Sequence, residues 1–189
     1  MSQYIEEQTF KNENFTEKPL PRGEYENCSF VNCHFAKTDL TGFKFSECTF
    51  EDSDLSLAKL RNTTFRDVTF KNCKLLGLQF NECATLLLSF RFQQCILNFA
   101  SFYKLKIKGI VFENCKLEEV DFVETDLTKA VFQHCDLTKA VFAGSILEQA
   151  DLRTAYNFSI DPEACRITKA KFSLQNVTGL LDKYKISIE

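Results

Sequence analysis

The sequence has no tryptophan, one methionine, three prolines and six glycines among its 189 residues. Because proline and glycine are scarce, no flexible linker rich in these residues divides the chain, and one domain is expected. No apolar run approaches the roughly 20 residues of a membrane-spanning helix, so we expect no membrane partner.

Motifs of catalysis and cofactor binding are missing as well. The sequence has no glycine-rich phosphate loop, no nucleophile elbow and no zinc-type cysteine spacing. His34 and His134 are far apart in the sequence, and neither has an Asp or Glu at a spacing that indicates a catalytic pair. The sequence therefore predicts neither an enzyme nor a bound cofactor.

The chain has no large excess of acidic or basic residues, with 23 Lys and Arg against 26 Asp and Glu. The net charge is -3, which argues against a protein that binds nucleic acid directly by neutralising phosphates. The N-terminal residues MSQYIEEQTF are acidic and polar, unlike a signal peptide, and we expect a cytoplasmic protein.

Large apolar residues, in contrast, recur at every fifth position. Phe, Leu, Ile or Tyr fills this position without exception from Tyr25 to Phe80 and from Phe92 to Leu152. In an α-helix these side chains would spread over the whole surface, and in a flat strand they would alternate between faces. A bend of constant sense every five residues keeps them on one side of the backbone, and this is the geometry of a solenoid.

A second period of twenty residues appears in the aromatic positions, as in Phe30, Phe50 and Phe70. Four five-residue sides per coil give a square cross-section, so the predicted fold is an all-β, quadrilateral β-helix. Residues twenty apart would stack at about 4.8 Å, and residues 25–152 would form a rod about 30 Å long.

The nine cysteines all lie two residues before a repeat position, in a slot otherwise filled by small or apolar residues. The count is odd and no CxxC pair occurs. We interpret each cysteine as a small buried hydrophobe in a reducing compartment, with a structural metal or a disulfide as the alternative.

The repeat weakens at both ends of the chain and at two places within it. Residues 1–24 carry Gln8 and Glu13 in the small slots and are predicted to be an N-terminal cap. Residues 25–174 are predicted to form the β-helix, with two extra residues at a break near 85–91 and an excursion near 157–164. Residues 175–189 are predicted to hold a short helix with Asn176 as its N-cap and then a tail, in which Ile186 to Ile188 alternate like an edge strand.

Units such as Thr125-Asp126-Leu127 and Ala150-Asp151-Leu152 resemble the A(D/N)LXX signature of the pentapeptide-repeat family, and Phe-centred units such as Cys28-Ser29-Phe30 are similar to its Qnr-type branch. The resemblance implies a right-handed quadrilateral β-helix. It also implies a homodimer joined through the C-terminus and a rod similar to B-form DNA in size and charge. Such a rod is expected to bind DNA gyrase and topoisomerase IV and to protect them against quinolones.

Two surface features are candidate interaction sites. The acidic set is net -5 over fourteen residues and is predicted to bind the partner: Glu113, Glu118, Glu119, Asp121, Glu124 and Asp126. The apolar C-terminal residues are predicted to form the dimer contact: Leu180, Leu181 and Tyr184. An ordinary solvated face is the alternative for the acidic set.

Two smaller charged groups are expected to be ordinary solvent-exposed surface. The first is the acidic group Glu47, Glu51, Asp52 and Asp54, in which Lys71 and Lys74 stack one coil above Glu51 and Asp54. Lys104, Lys106 and Lys108 point outward and favour solubility, with anion binding as the alternative.

Two functions remain open on the sequence. One is a DNA mimic that binds topoisomerases, and the other is a protein–protein interaction scaffold with a different partner.

Overall fold

The chain turns a corner at almost every fifth residue. In the computed structural model, which describes residues 3–187, the residue two places after nearly every repeat position has a positive φ, as in Asn27 (50°), Lys129 (61°) and Gln149 (59°). Many corners are closed by a hydrogen bond of type II turn geometry, such as Ala58 N–H to Leu55 O (3.1 Å). The predicted bend of constant sense is therefore confirmed.

The straight sides between corners are short parallel strands or single bridges. The described strands are β1 (Gln3–Glu6), β2 (Thr9–Lys11), β3 (Gly23–Glu26), β4 (Ser29–Val31), β5 (Lys44–Ser46), β6 (Thr49–Glu51), β7 (Thr64–Arg66), β8 (Val68–Lys71), β9 (Phe90–Gln93), β10 (Val111–Glu113) and β11 (Val131–Gln133). A 3-10 turn spans Phe80–Glu82, and two more lie at the C-terminus.

Strands stack coil on coil with a twenty-residue register, as Phe30 opposite Phe50 shows. One side, the first, is the sheet β1-β3-β5-β7, and the second side is the sheet β2-β4-β6-β8-β9-β10-β11. Single parallel bridges such as His34 to Asp54 build the third side, and bridges such as Asp39 to Lys59 build the fourth. The fold is the predicted right-handed quadrilateral β-helix.

Phenylalanine rings fill the interior. On the second side Phe92, Phe112 and Phe132 stack face to face with centroids 5.3 Å apart, and Phe102 and Phe122 do the same on the fourth side. The two columns meet edge to face, with Phe112 and Phe122 5.9 Å apart at 75°. Stacked and T-shaped contacts are both favourable arrangements of aromatic rings, so one residue type packs along and across the rod.

All nine cysteines are free and buried, as predicted. The thiol of Cys135, for example, lies 3.4 Å from the carbonyl oxygens of Phe112 and Gln133. Hydroxyls occupy the same slot elsewhere, and Thr125 Oγ1 donates to Phe102 O at 2.9 Å. Where the slot holds Cys, Ser or Thr, the side chain can donate to the backbone of the preceding coil.

The two extra residues lie on the first side. Phe70 pairs with Phe92, a step of 22 residues, whereas Phe92 pairs with Phe112 at the usual 20. The insertion stays bonded to the coil of β7 at its ends, through Ala84 N–H to Thr63 O (2.9 Å) and Ser89 N–H to Phe65 O (3.0 Å), but it forms no strand, so β7 is the last strand of its sheet. Leu86, at the tip of this insertion, is 78% exposed.

The segment predicted as an N-terminal cap is itself a coil in the described residues. β1 pairs with β3 and β2 with β4, and Phe15 and Leu20 are buried against the next layer. It thus covers the end of the coil that follows it with strands of the same kind.

At the other end, the excursion inserts Phe158 and Ile160 into the core while the register is kept, since Ile146 still pairs with Arg166. The C-terminal helix consists of two 3-10 turns, Val177–Leu180 and Asp182–Tyr184, and not of a continuous α-helix. Val, Thr and Gly have low helix propensity, and Gly179 packs so closely on Phe158 O that a Cβ would collide with it.

Asn176 stands at the start of the first turn, but its side chain makes no capping hydrogen bond. Its amide instead donates to Leu152 O and Ala155 O and ties the turn to the last coil. Ile186 and Ser187 are not in a strand, and Ile188 of the predicted edge strand lies outside the described residues.

Removing one ring from the core should destabilise the rod strongly. Phe112 is fully buried between two stacked rings, so Phe112→Ala is expected to lower the free energy of unfolding by about 3–5 kcal/mol. The control Val111→Ala, on the outer face of the same strand, should lose about 1 kcal/mol or less. Urea denaturation followed by circular dichroism measures both, and equal losses would contradict the packing described.

Burial of the thiols should make the protein sensitive to alkali. Burial raises the pKa of Cys48 from 9.0 to about 11. Above pH 9 the unfolded chain loses this proton while the folded chain keeps it, so stability is constant below pH 9 and falls as the pH rises toward 11. Urea midpoints measured across this range should fall less for Cys48→Ala than for the unchanged protein, and parallel falls would refute the assignment.

Candidate partner-binding surface

The six carboxylates of the acidic set wind around the rod. Glu113 ends β10 on the second side, whereas Asp121 pairs with Ser101 on the fourth side and Asp126 pairs with Lys106 on the first. Glu119 and Glu124, both with positive φ, stand at the corners on either side of Asp121. The structure therefore does not bring all six onto one face.

Three of the six form ion pairs with lysines on neighbouring coils: Glu119 with Lys139 (3.3 Å), Glu124 with Lys104 (3.5 Å) and Asp126 with Lys108 (3.3 Å). Such exposed pairs contribute little to stability, but they offset the negative charge locally.

The other three accept hydrogen bonds from neutral groups. Gln93 donates to Glu113 (3.1 Å), Asn98 to Glu118 (3.0 Å) and Ser101 to Asp121 (3.2 Å). Amides and hydroxyls carry no net charge, so these hydrogen bonds add no cation beside the three carboxylates.

Two members of the set also brace the backbone. Asp126 accepts hydrogen bonds from the backbone N–H and the hydroxyl of Thr128, and Asp121 accepts the N–H of Val123. Asp126 is only 9% exposed. Burial opposes its ionisation, but the hydrogen bonds from Thr128 and the Lys108 ammonium hold the pKa of its carboxyl below the ordinary value. Asp136 and Asp151 brace their corners in the same way, which gives the Asp of the repeat a structural role.

The C-terminal residues are distributed unevenly. Leu180 packs against the core, whereas Leu181 and Tyr184 are partly open to solvent. The Tyr184 hydroxyl donates to Glu163 (2.9 Å), and Lys183 pairs with Asp161 and Glu163 at 2.6 Å each. These contacts fasten the C-terminal turns to the excursion, and the Lys183 hydrogen bonds lower the pKa of both carboxyls.

Sequence reasoning missed two further exposed apolar residues at this end. Leu174 is 95% exposed and Ile186 is 56% exposed. Leu174 falls at an end of the chain where the five-residue period has faded, so periodicity could not show that it faces solvent.

An apolar ridge on the corner between the third and fourth sides was missed too. Leu57 and Phe99 are more than half exposed and have φ of 58° and 63°, a conformation that favours Asn or Gly. Gly77 lies between them, and a Cβ there would meet the Leu57 side chain at 2.7 Å. Polar residues fill most of the positions two places after a repeat residue. A large apolar residue at such a position is therefore the sequence feature that could have identified this ridge.

The described residues were also compared with the requirements of a metal site and of a membrane-spanning helix. Within residues 3–187, no group of three His, Cys, Asp or Glu side chains is arranged to hold a metal ion. No helix in the same range has the length and apolar character needed to cross a membrane. His34 and His134 are both exposed.

Comparison with solved structures gives the fold. Two structures of trypsin-treated variants of QnrB1, a plasmid-mediated fluoroquinolone resistance protein, are each 16% identical to this chain and cover all of it. One variant has a TM-score of 0.63 over 98% of its own chain, and the other has 0.61 over 100%. HetL from the cyanobacterium Nostoc sp. strain PCC 7120, a pentapeptide repeat protein involved in heterocyst differentiation regulation, is 16% identical with a TM-score of 0.46, covering 89% of this chain and 85% of its own.

No curated protein matches the sequence significantly. The family profile described as "Pentapeptide repeat region" matches residues 24–91 and 86–156, which is well over half of the chain. Together with the square coils, the buried repeat residues and the braced corners, this match shows that the chain belongs to the pentapeptide-repeat family.

Proposed function

We propose that the protein is non-enzymatic and acts in the cytoplasm through its outer surface by binding DNA gyrase or topoisomerase IV, which protects these enzymes against quinolones. The observation that carries the proposal is the likeness to QnrB1 along the whole chain, including both ends of the rod. Rings fill the interior of the coils, so function must be sought on the outside.

The proposed mechanism is mimicry of DNA. A topoisomerase surface that binds DNA is positively charged, and a rigid rod bearing carboxylates can occupy it in place of the duplex. Glu113 and Glu118 are the best candidates for this contact, because neither is paired with a lysine or arginine in the described residues. Their charges are held in place by Gln93 and Asn98 and are available to a cationic partner.

A second candidate is a scaffold that binds another protein. The ion pairs of Glu119, Glu124 and Asp126 favour it, since they reduce the charge asymmetry that a DNA mimic needs. The exposed ridge of Leu57 and Phe99 favours it as well, because exposed apolar clusters rimmed by polar residues are typical of protein interfaces.

The topoisomerase proposal predicts that the purified protein restores DNA supercoiling by gyrase in the presence of ciprofloxacin. Replacing both candidate carboxylates by isosteric amides, in Glu113→Gln/Glu118→Gln, should raise the concentration needed for half protection about 3–10-fold, because two charge contacts are lost while the shape is kept.

The matched control is Glu7→Gln/Glu47→Gln, which removes two exposed charges from a different part of the rod. It should leave protection unchanged. Absence of protection by the unchanged protein, with a known Qnr protein as positive control, would reject the topoisomerase proposal and leave the scaffold.

We also propose a homodimer formed through the C-terminal turns. Apolar surface is exposed at one end of the rod by Leu174, Leu181, Tyr184 and Ile186. A two-fold contact between two copies would bury this surface on both of them. Light scattering should give twice the 21.8 kDa of one chain, and Leu181→Asp should give a monomer. Leu86→Asp, on the exposed insertion, is the control that should remain dimeric. A monomeric unchanged protein would refute the dimer.

A further inference from the structure

The first side of the rod has a gap in its wall. β7 pairs with β5 on the preceding coil, but no strand follows it on this sheet in the described residues. The next residue to pair on this side is Lys106, which bridges to Asp126 on the coil after it. Between β7 and Lys106 runs the insertion of residues 84–89, which bonds to the coil of β7 through Ala84 and Ser89 but forms no strand, so one coil has no regular pairing segment on this side.

The gap forms a cleft of about 350 Å³. Its apolar surface comes from Leu88, Phe90, Ile107 and Ile110, of which the last three are less than 9% exposed. Gly109 lies at its edge, and a Cβ added there would meet no atom within 4 Å. The volume lies within the roughly 300–1,000 Å³ typical of small-ligand sites.

The rim of the cleft is positively charged. Lys106 and Lys108 line it. Asp126 offsets the charge of Lys108 at 3.3 Å, whereas Lys106 has no carboxylate within ion-pair distance among residues 3–187. The residues of the insertion, Ala84 to Ser89, carry no charge. One unpaired ammonium therefore stands beside an apolar floor.

The backbone adds a hydrogen-bond donor. On the following coils, the N–H groups of Asp126, Ile146 and Arg166 donate to carbonyls of the coil beneath, at 2.8, 3.0 and 3.0 Å. The equivalent N–H of Lys106 has no acceptor among the described residues, because the strand that would supply one is missing. Lys106 is exposed, so solvent can bond to this N–H, and a ligand oxygen can replace the solvent.

From the apolar floor, the unpaired ammonium and the free N–H, we propose that this cleft binds a small amphiphilic monocarboxylate, with an alkyl chain or aromatic ring on the floor and the carboxylate at Lys106. An inorganic anion would leave the floor uncovered, and a neutral apolar molecule would leave the ammonium and the N–H without a partner. The site lies on the first side and does not depend on the topoisomerase proposal.

The test uses the full-length protein and octanoate as the probe, with 1-octanol and acetate as controls that keep only the chain or only the carboxylate. Titration followed by amide NMR should give saturable shifts at Lys106 and Gly109 with one octanoate per chain. Because the carboxylate adds a charge-assisted hydrogen bond, octanoate should bind about tenfold more tightly than octanol. Acetate should bind more weakly still.

The variant Lys106→Gln should weaken octanoate binding about tenfold and leave octanol binding unchanged. The matched control is Lys104→Gln. Lys104 lies on the same stretch but pairs with Glu124 and stacks over Tyr103 outside the cleft, so its loss should change neither ligand. The proposal is overturned by unsaturable shifts, by equal affinity for octanoate and octanol, or by unchanged octanoate binding in Lys106→Gln.

Discussion

The fold depends on a left-handed residue at almost every corner. Each corner turns the backbone in the same sense, and it sets the next repeat side chain toward the axis. This conformation is unfavourable for most residues, and asparagine is the residue found there most often in the described chain, with glycine at four corners, as in Asn32 and Gly144. The interior compensates: Phe112 and its neighbours are fully buried, and stacking of rings coil on coil stabilises a backbone that local preference alone would not adopt. Corners and rings therefore stabilise each other.

The same constraint explains the departures from the repeat. When two residues are added, as at 84–89, a short coil cannot absorb them, and they leave the wall on one side while the other three sides keep their pairing. The insertion leaves Leu86 and Leu87 exposed on the outside of the rod, whereas Phe90, Ile107 and Ile110 beside the gap stay less than 9% exposed. When large residues occupy corner positions, as Leu57 and Phe99 do, they cannot enter the interior and must face solvent. Both departures place apolar surface on the outside of the rod, where partners and ligands can reach it.

Charge follows the same geometry. Residues twenty apart in sequence become neighbours, so Glu119 meets Lys139 and Glu124 meets Lys104 across the coils. An acidic run along the chain is therefore not an acidic stripe along the rod, because the run from Glu113 to Asp126 passes from the second side round to the first. The aspartates of the repeat are further committed to their own corners, as Asp126 is to Thr128. Charge that remains available to a partner is carried by glutamates such as Glu113 and Glu118.

The sequence by itself determined the architecture: a period of five sets the corners, a period of twenty sets the four sides, and both repeat often enough to define every regular coil from Tyr25 to Leu152. It also placed the thiols inside, because their slot follows from the same count. Only the tertiary structure decided which wall the insertion opens, that residues 3–20 form a coil of their own, and that the C-terminus ends in 3-10 turns held by Lys183 and Asn176. These features occur where the period fails, and there the outcome depends on contacts between distant segments that no local pattern records.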